Sequence, residues 1–356
     1  MRKNLFRFMA IAVLSTALFS CQDDDPIDNN PPSTQDNGRV YILNEGVWGG
    51  NDAELSRYSA TENTITNNYF SEKNGRGLGD VANDVEIYGG KMYVVVNTSN
   101  TVEVLDPKTG ISIQQIPLSG KGPREVAFYE EYAYVSCYDK TVVKIDTTSL
   151  SIVAQCQTEG GKCEDLYAHN GYLYVAHAWD QDASGAIFYD STLSVIALDN
   201  FSVVDKITIG LNAKTIKPIG NSKIMVSCMG NYSDIASCLS IINLDSRQVE
   251  KLEIEVSNFA VYSNEYALTY SYNWTTSQQV FTKINLTNFA QTQWNYNASQ
   301  QLVSPYGIGI DPTNEDVYIT DSQNYQSNGD VYRFDKNGNH IANKECGIGP
   351  SKIIFL

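Results

Sequence analysis

The sequence predicts an all-β protein, a seven-bladed β-propeller whose ring is closed by the C-terminal strand joining blade one. A short β-run with an aromatic or aliphatic anchor recurs seven times, and the anchors lie 40 to 52 residues apart. The anchors are Tyr41, Tyr93, Tyr134, Tyr174, Met225, Leu268 and Tyr318. A unit of that length holds three or four strands and cannot bury its own apolar faces. Packing each sheet on its neighbours around a ring solves this problem.

Each repeat begins with a run typical of a buried strand. These runs are VYILNEG from Val40, MYVVVN from Met92, AYVSC from Ala133, LYVAH from Leu173, IMVSC from Ile224, ALTYSY from Ala267 and VYITD from Val317. The alternation of apolar and polar residues indicates half-buried strands. A second run follows in most units and closes at Asp106, Asp146, Asp199, Asp245, Asn285 or Asp335. We interpret these Asp and Asn residues as caps of the turn into the next strand.

The closure of the ring is also predicted from the sequence. The run at Val40 lacks the preceding strand that the other units have. The C-terminal segment GPSKIIFL from Gly349 matches GPREVAF from Gly122 in the third unit. The last strand is therefore expected to become the innermost strand of blade one, which removes exposed sheet edges.

The first twenty residues have the features of an export signal. A basic start with Arg2, Lys3 and Arg7 precedes a short apolar run, which favours a secretory signal over a transmembrane helix. The ending Leu-Phe-Ser-Cys resembles a bacterial lipobox, in which Cys21 is acylated; a cleaved soluble signal with an incidental Cys is the alternative. The acidic run Gln22–Asp25 resembles the surface-export signal of Bacteroidetes lipoproteins, and an ordinary solvated linker is its alternative.

Composition supports an exported single domain. Residues 21–38 are rich in Asp, Asn and Pro and are expected to form a flexible acidic tether, which leaves residues 39–356 for the propeller. The formal charge is −16, and loss of the three basic residues of the signal makes it −19. This charge argues against binding to nucleic acid or to anionic membrane surfaces, since both attract basic patches.

Six cysteines follow Cys21. Cys156 with Cys163, and Cys228 with Cys238, are close enough in sequence to form local disulfides in an oxidising compartment, although free thiols are equally compatible with the sequence. Cys137 and Cys346 are expected to be free buried thiols. Since no CxxC motif is present, we do not expect metal or redox chemistry at these cysteines.

Two rows of residues predict a binding face. Alignment of the innermost strands places Arg124, Lys214 and Tyr306 at the mouth of the channel, and a water-filled channel with an Arg124–Glu164 salt bridge is the alternative. The loops after the second strands carry Trp48, Tyr138, Trp179, Tyr232, Trp274 and Tyr325. Aromatic side chains in loops enrich recognition surfaces, although several could instead pack against neighbouring loops.

Other chemistry has weaker signals. Asp180, Asp182 and Ser184 resemble the start of a calcium loop, but Ser191 replaces the Glu expected at the twelfth position, so a solvated loop is the alternative. The chain has three histidines and no HExxH, Walker or GxSxG motif. We therefore do not expect an enzyme, and of the histidines only His177 is expected in a loop of the binding face.

Residues 39–356 resemble the YncE-like seven-bladed propellers of Bacteroidetes surface lipoproteins. The resemblance rests on the lipobox, QDDD, the run MYVVVNTSNTVEVLDPKTG and the Gly-Pro-x-x-Val strand entries. It implies an outer-membrane lipoprotein at the cell surface. It also implies that the aromatic face binds cobalamin or another corrinoid, which is passed to a TonB-dependent transporter of the BtuB type. A protein-interaction or surface-layer propeller and a lactonase-like hydrolase are the alternatives.

We expect Cys21→Ala to release the protein into the soluble fraction, because the lipid is the only membrane-seeking element that the sequence predicts. Replacement of Asp23, Asp24 and Asp25 by Ala should keep the lipid but move the protein away from the cell surface. Protease shaving of intact cells measures this exposure. Unchanged cleavage of the triple variant would contradict a surface-export role for the acidic run.

Overall fold

The computed structural model describes residues 39–273, 275–298 and 301–356. The predicted signal peptide, the acylated Cys21, the acidic tether and Trp274 lie outside the described residues. The described chain is all-β, with thirty strands and one short helix. Seven of its sheets have four antiparallel strands each, and these sheets are the seven predicted blades.

The strands follow one another through the ring in chain order. Blade one contains β1 (Arg39–Asn44), β2 (Glu54–Ser59) and β3 (Thr64–Thr66), followed by the helix α1 (Tyr69–Asn74). Blade two contains β4 (Ala82–Tyr88), β5 (Lys91–Val96), β6 (Thr101–Leu105) and β7 (Ser112–Pro117). Blade three contains β8 (Pro123–Tyr129), β9 (Tyr132–Cys137), β10 (Thr141–Asp146) and β11 (Ile152–Gln157).

Blade four carries an inserted hairpin between its second and third strands. It contains β12 (Cys163–His169), β13 (Tyr172–His177), the hairpin β14 (Trp179–Gln181) and β15 (Ile187–Tyr189), then β16 (Thr192–Ala197) and β17 (Ser202–Thr208). Blade five contains β18 (Ala213–Pro218), β19 (Lys223–Cys228), β20 (Cys238–Asn243) and β21 (Val249–Leu252). Blade six contains β22 (Asn258–Tyr262), β23 (Tyr266–Asn273), β24 (Gln278–Asn285) and β25 (Gln291–Gln293). Blade seven contains β26 (Pro305–Ile310), β27 (Val317–Asp321), β28 (Asn328–Phe334) and β29 (His340–Ile348), and the final strand is β30 (Pro350–Phe355).

The hydrophobic core lies between the blades. Seven clusters of buried apolar residues fill these spaces, and each contains one of the seven predicted anchors. Tyr41 of blade one, for example, packs with Met92 and Val94 of blade two, and its hydroxyl donates a hydrogen bond to the Pro107 carbonyl (2.8 Å). All seven anchors are buried. The prediction that each sheet buries its faces against its neighbours is confirmed.

The turn caps follow the predicted pattern in four units and depart from it in two. The Asp106 carboxylate accepts hydrogen bonds from the backbone N–H groups of Lys108 (2.8 Å) and Thr109 (2.9 Å), and Asp146, Asn285 and Asp335 act in the same way. In blade four Asp199 accepts from the Asn200 N–H (2.7 Å), and it is Asn200 that accepts from the Ser202 N–H (3.2 Å). In blade five the cap is Asn243 and not Asp245, because Asn243 is the residue that ends β20. Side-chain oxygens at these positions satisfy backbone donors that the turn leaves unpaired.

The C-terminal strand closes the ring as predicted. β30 pairs antiparallel with β1, with Val40 opposite Phe355, and it lies innermost in blade one. It also contacts the innermost strands of its two neighbours, β26 and β4. Gly307 of β26 permits the close approach, since a Cβ there would lie 2.5 Å from the Ser351 carbonyl oxygen. In the described part of the chain no helix has the length and apolar character needed to cross a membrane.

Removal of residues 349–356 should lower the melting temperature by at least about 10 °C, because it takes the side chains of Ile353, Ile354 and Phe355 from the seam and leaves β1 with an unpaired edge. Removal of Leu356 alone is the control, since this residue follows β30, and it should change the melting temperature by no more than a degree or two. A melting temperature of the longer deletion equal to that of the control would contradict closure by β30.

Candidate functional site

The predicted aromatic residues lie on the face formed by the ends of the second strands. Trp48 follows β1, Tyr138 follows β9, Trp179 begins the hairpin after β13, Tyr232 follows β19, and Tyr325 follows β27. Since the second strands run in the same sense in every blade, their ends meet at one face of the ring. Loops at this face can carry polar and aromatic side chains without loss of stability, because the strands and not the loops form the hydrophobic core.

A cavity of about 300 Å³, which we name the face pocket, brings five predicted residues together. They are Arg124, Tyr138, Trp179, Lys214 and Tyr232. The other lining residues are Glu164, Ala178, Ile187, Tyr189, Asn212 and Met229. Sequence reasoning missed Tyr189 as a site residue. Pairing within the hairpin places Tyr189 directly opposite Trp179, and its ring lies 5.9 Å from that of Tyr232.

Ion pairs and ring contacts fix the floor of the face pocket. Arg124 donates two hydrogen bonds to Glu164 Oε2 (3.0 and 2.9 Å), so the salt bridge of the alternative interpretation is present. The Tyr138 hydroxyl donates to Glu164 Oε1 (2.7 Å), and its ring lies 4.7 Å from the Arg124 guanidinium. Burial and the nearby Glu164 carboxylate hold the pKa of Tyr138 above its usual range, so this hydroxyl remains a donor. Lys162 Nζ lies 4.0 Å from the centre of the Trp179 ring, within range of a cation–π interaction.

The face pocket opens onto a larger cavity of about 700 Å³ along the axis of the ring, which we name the central channel. Arg124 and Lys214 line both cavities. Lys214 is exposed, and within the described residues it has no ion pair or hydrogen bond from its ammonium group. The mouth of the channel therefore presents Arg124, which is paired with a carboxylate, and Lys214, which has no ion pair among the described residues although its charge acts on the Glu45 carboxylate.

Tyr306 and Tyr325 form a second group on the blade-seven side of the mouth. Tyr306 donates a hydrogen bond from its hydroxyl to Glu45 Oε2 (3.0 Å), and its ring meets that of Tyr325 edge-on at 5.3 Å. Burial and the Glu45 carboxylate raise the pKa of Tyr325 to about 12. Trp48 is 82 % exposed and lies outside both cavities. The structure thus brings five of the nine predicted ligand-binding residues into one pocket, places Tyr306 and Tyr325 at the opposite side of the mouth and leaves Trp48 on an exposed loop.

The acidic residues inside the ring have a structural role that the sequence did not reveal. Asp84 of blade two accepts a hydrogen bond from the Val126 N–H of blade three (2.9 Å), and Asp165 of blade four accepts one from the Ile216 N–H of blade five (2.7 Å). Lys352 lies between blades, with its Nζ 2.9 Å from Asp84. These side chains connect neighbouring innermost strands across the ring.

The oxygens of the predicted calcium loop are engaged by the protein. Asp180 forms an ion pair with Lys140. Asp182 Oδ1 accepts hydrogen bonds from the Ser184 N–H (2.8 Å), the Ser184 hydroxyl (2.6 Å) and the Ala186 N–H (3.0 Å). No group of three or more His, Cys, Asp or Glu side chains in the described ranges is placed to hold a metal ion. Calcium binding stays a prediction to which this geometry lends no support.

One expectation about reactive side chains is wrong, that for His177, and the state of the cysteines, which the sequence left open, is given by the structure. His177 does not lie in a loop; it is buried at the end of β13, with Nδ1 2.9 Å from the Gly161 carbonyl and Nε2 2.8 Å from the Ser194 hydroxyl.

The six described cysteines are free thiols and all are buried, as expected for Cys137 and Cys346. Cys228 and Cys238 are directly opposite each other on β19 and β20. The neighbouring Cys228 thiol is the main cause that lowers the pKa of Cys238 to about 7.

These observations define the class of protein: a seven-bladed β-propeller with an aromatic and cationic pocket at one mouth of its channel. Residues 38–349 match the model of the family described as domain of unknown function DUF5074, and the chain belongs to that family. Comparison with curated proteins gives no match.

Solved structures share the fold at low sequence identity. A quinoprotein alcohol dehydrogenase-like protein from Bacteroides thetaiotaomicron is similar over 90 % of this chain and 78 % of that chain, with 15 % identity and a TM-score of 0.68. Kuenenia stuttgartiensis hydrazine synthase is similar over 74 % of this chain and 86 % of that chain, with 14 % identity and a TM-score of 0.62. U3-55K is similar over 72 % and 78 %, with 10 % identity and a TM-score of 0.51. Likeness at these identities shows the fold alone.

We expect Glu86→Gln to stabilise the protein at pH 8 by about 1–2 kcal/mol and at pH 4.5 by less than about 0.5 kcal/mol. Glu86 belongs to β4 and lines the central channel. Burial, and then repulsion from Asp84, raise the pKa of Glu86 from its ordinary value of 4.5 to about 7. A raised pKa means that ionisation opposes folding, so stability present below pH 4.5 is lost as the pH rises through 7. Urea unfolding at both pH values measures this difference, and a variant less stable than wild type at pH 8 would contradict it.

Proposed function

We propose that this face of the propeller binds a large ligand that combines a flat ring system with an anionic group, and that the ligand is a corrinoid such as cobalamin. The observation that carries the proposal is the face pocket, where Tyr138, Trp179 and Tyr232 line the same cavity as Arg124 and Lys214. The face pocket lies beside the mouth of the central channel, so a disk-shaped ligand would cover both the pocket and the mouth.

The aromatic side chains supply the apolar part of the contact. A corrinoid presents a wide ring with apolar edges, and aromatic side chains bury large areas with few rotatable bonds. Tyr232 is 70 % exposed, so its ring is available for contact. Tyr138 and Trp179 meet edge-on at 6.1 Å and are already fixed in place. Since these rings are held before the ligand arrives, binding would order few side chains.

The charge of the pocket favours an anionic group on the ligand. Its described lining contains Arg124 and Lys214 against the single carboxylate of Glu164, although the chain as a whole has a net charge of −16. A cobalamin carries one phosphodiester in its nucleotide loop. An exposed ammonium such as that of Lys214 can pair with this phosphate and orient the ligand.

Delivery to a transporter completes the proposal. We infer that the protein is held at the outer surface of the outer membrane by a lipid on Cys21, and that it passes the ligand to a TonB-dependent transporter of the BtuB type. The cobalamin-binding lipoprotein BtuG, which the sequence resembles, suggests this arrangement. Ile187 and Phe188 on the hairpin are exposed beside the pocket and offer apolar surface to such a partner.

A second candidate is a protein-interaction or surface-layer propeller that uses the same face without a small ligand. The observation that favours it is the exposure of Trp48, which lies outside both cavities. A catalytic role, such as that of a lactonase, receives less support. Both ring nitrogens of His177 are engaged by Gly161 and Ser194, which leaves this imidazole no free position for proton transfer.

Calorimetry with cyanocobalamin tests the proposal. We expect Trp179→Ala to weaken binding by at least about thirtyfold, because an aromatic side chain at the centre of a site typically contributes about 2 kcal/mol or more. Lys214→Met should weaken binding less and should remove most of its dependence on salt concentration. Neither change should alter the melting temperature by more than a degree or two.

Tyr172→Ala is the matched control for Tyr232→Ala. Both tyrosines are exposed, but Tyr172 begins β13 and lies at the opposite face of the ring from Trp179. Tyr232→Ala should weaken binding, and Tyr172→Ala should not. Absence of heat with wild-type protein would reject the corrinoid proposal and favour a protein partner. Binding that survives Trp179→Ala and Tyr232→Ala unchanged would place the ligand elsewhere, for example around Tyr306.

A further inference from the structure

A second groove lies on blade six, lined by β23, β24, β25 and described residues of the segment that leads to β26, and it shares no lining residue with the face pocket. Its volume is about 580 Å³, which falls in the range of small-molecule sites. Six of its lining side chains are amides: Gln278, Gln279, Gln293, Asn295, Asn297 and Gln301. Four more are aromatic: Tyr272, Phe281, Trp294 and Tyr296. We name this cavity the amide groove.

The amide groove is uncharged. None of the fourteen described residues that line it is Asp, Glu, Lys or Arg. Charged residues make up 19 % of the chain, so a set of this size would on average include two or three. Both the face pocket and the central channel, by contrast, are lined by charged side chains. An ionic ligand would lose hydration in the amide groove without gaining a counter-charge.

The floor of the amide groove is rigid. The Tyr296 ring lies 5.5 Å from Phe281 and 5.4 Å from Phe334, and Trp294 donates a hydrogen bond from its indole to the Lys336 carbonyl (3.1 Å). Gln279 donates to the Leu302 carbonyl (2.6 Å) and accepts from the Tyr296 hydroxyl (3.3 Å). These contacts fix one amide and two aromatic rings before any ligand arrives.

The rim of the groove offers free hydrogen-bonding groups. Gln278, Gln293, Asn295 and Gln301 are exposed, and their side-chain amides have no hydrogen-bond partner among the described residues. Each amide presents an acceptor oxygen and a donor NH₂ group side by side. Such a set matches a ligand whose own polar groups both donate and accept, and which carries no charge.

We propose that the amide groove binds a neutral saccharide. Sugar hydroxyls donate and accept at the same atom, so the rim amides can satisfy them in either direction. The C–H groups of a sugar ring form a weakly polarised apolar surface that can lie against aromatic side chains such as Tyr296. The proposal is independent of the corrinoid proposal, because the two cavities share no residue.

Affinity electrophoresis tests this site. The soluble domain, residues 39–356, is run in native gels that contain soluble starch, a galactomannan, a neutral arabinoxylan or a mixed-linkage β-glucan, and in gels that contain polygalacturonate. We expect retardation by at least one neutral polysaccharide and none by polygalacturonate. The Kd is calculated from the retardation. The double variant Gln293→Ala/Asn295→Ala should raise this Kd by at least about tenfold, since it removes two amides that each contribute about 1 kcal/mol to binding.

The matched control is Gln155→Ala/Gln248→Ala, which removes two exposed glutamines on blades three and five. It should leave the retardation unchanged. Both double variants should keep the wild-type melting temperature and the wild-type response to cyanocobalamin. The proposal is overturned if no neutral polysaccharide retards the protein, if the rim variant is retarded as strongly as the control, or if polygalacturonate retards it equally.

Discussion

The packing of each blade against the next is the interaction on which the rest of the structure depends. No sheet can bury its apolar faces by itself, so the core consists of seven clusters that neighbouring blades share. Each cluster needs a partner on both sides, and the set is complete only when β30 joins blade one. This packing fixes the position of each blade in the ring, and it therefore also fixes the positions at which the loops of the binding face begin and end.

The charged groups at the axis divide into two kinds because of their depth. Asp84, Asp165 and Lys352 lie within the ring and connect neighbouring innermost strands. Arg124 and Lys214 lie at the mouth, where Arg124 is held by Glu164 and Lys214 is exposed. A buried carboxylate without a hydrogen-bond donor would destabilise the protein. An ammonium group at the mouth, by contrast, is hydrated until a ligand replaces the water. The same ring of strands therefore provides both support and a recognition surface.

The fold was predictable from the sequence because the repeat and the strand period are local signals. The anchors, the blade count and the β1–β30 pairing all follow from patterns of a few residues. The site was predictable only in part. Strand order placed Tyr138, Trp179 and Tyr232 on one face, but Tyr189 reaches the pocket through a hairpin whose register the sequence does not show. The burial of His177 depends on how Gly161 and Ser194 pack around it, and the amide groove depends on how Tyr296 and Leu302 contact Gln279 of β24.

The position of β1 within its blade has a mechanical consequence. The described chain begins at Arg39 in a strand that is hydrogen-bonded on both sides, to β2 and to β30. A pull on the N-terminal segment therefore loads an interior strand and not an edge that could peel away. The load passes through ladders on both sides at once and spreads into two neighbouring clusters of the core. Extraction of β1 by force therefore requires the hydrogen bonds to both neighbouring strands to break.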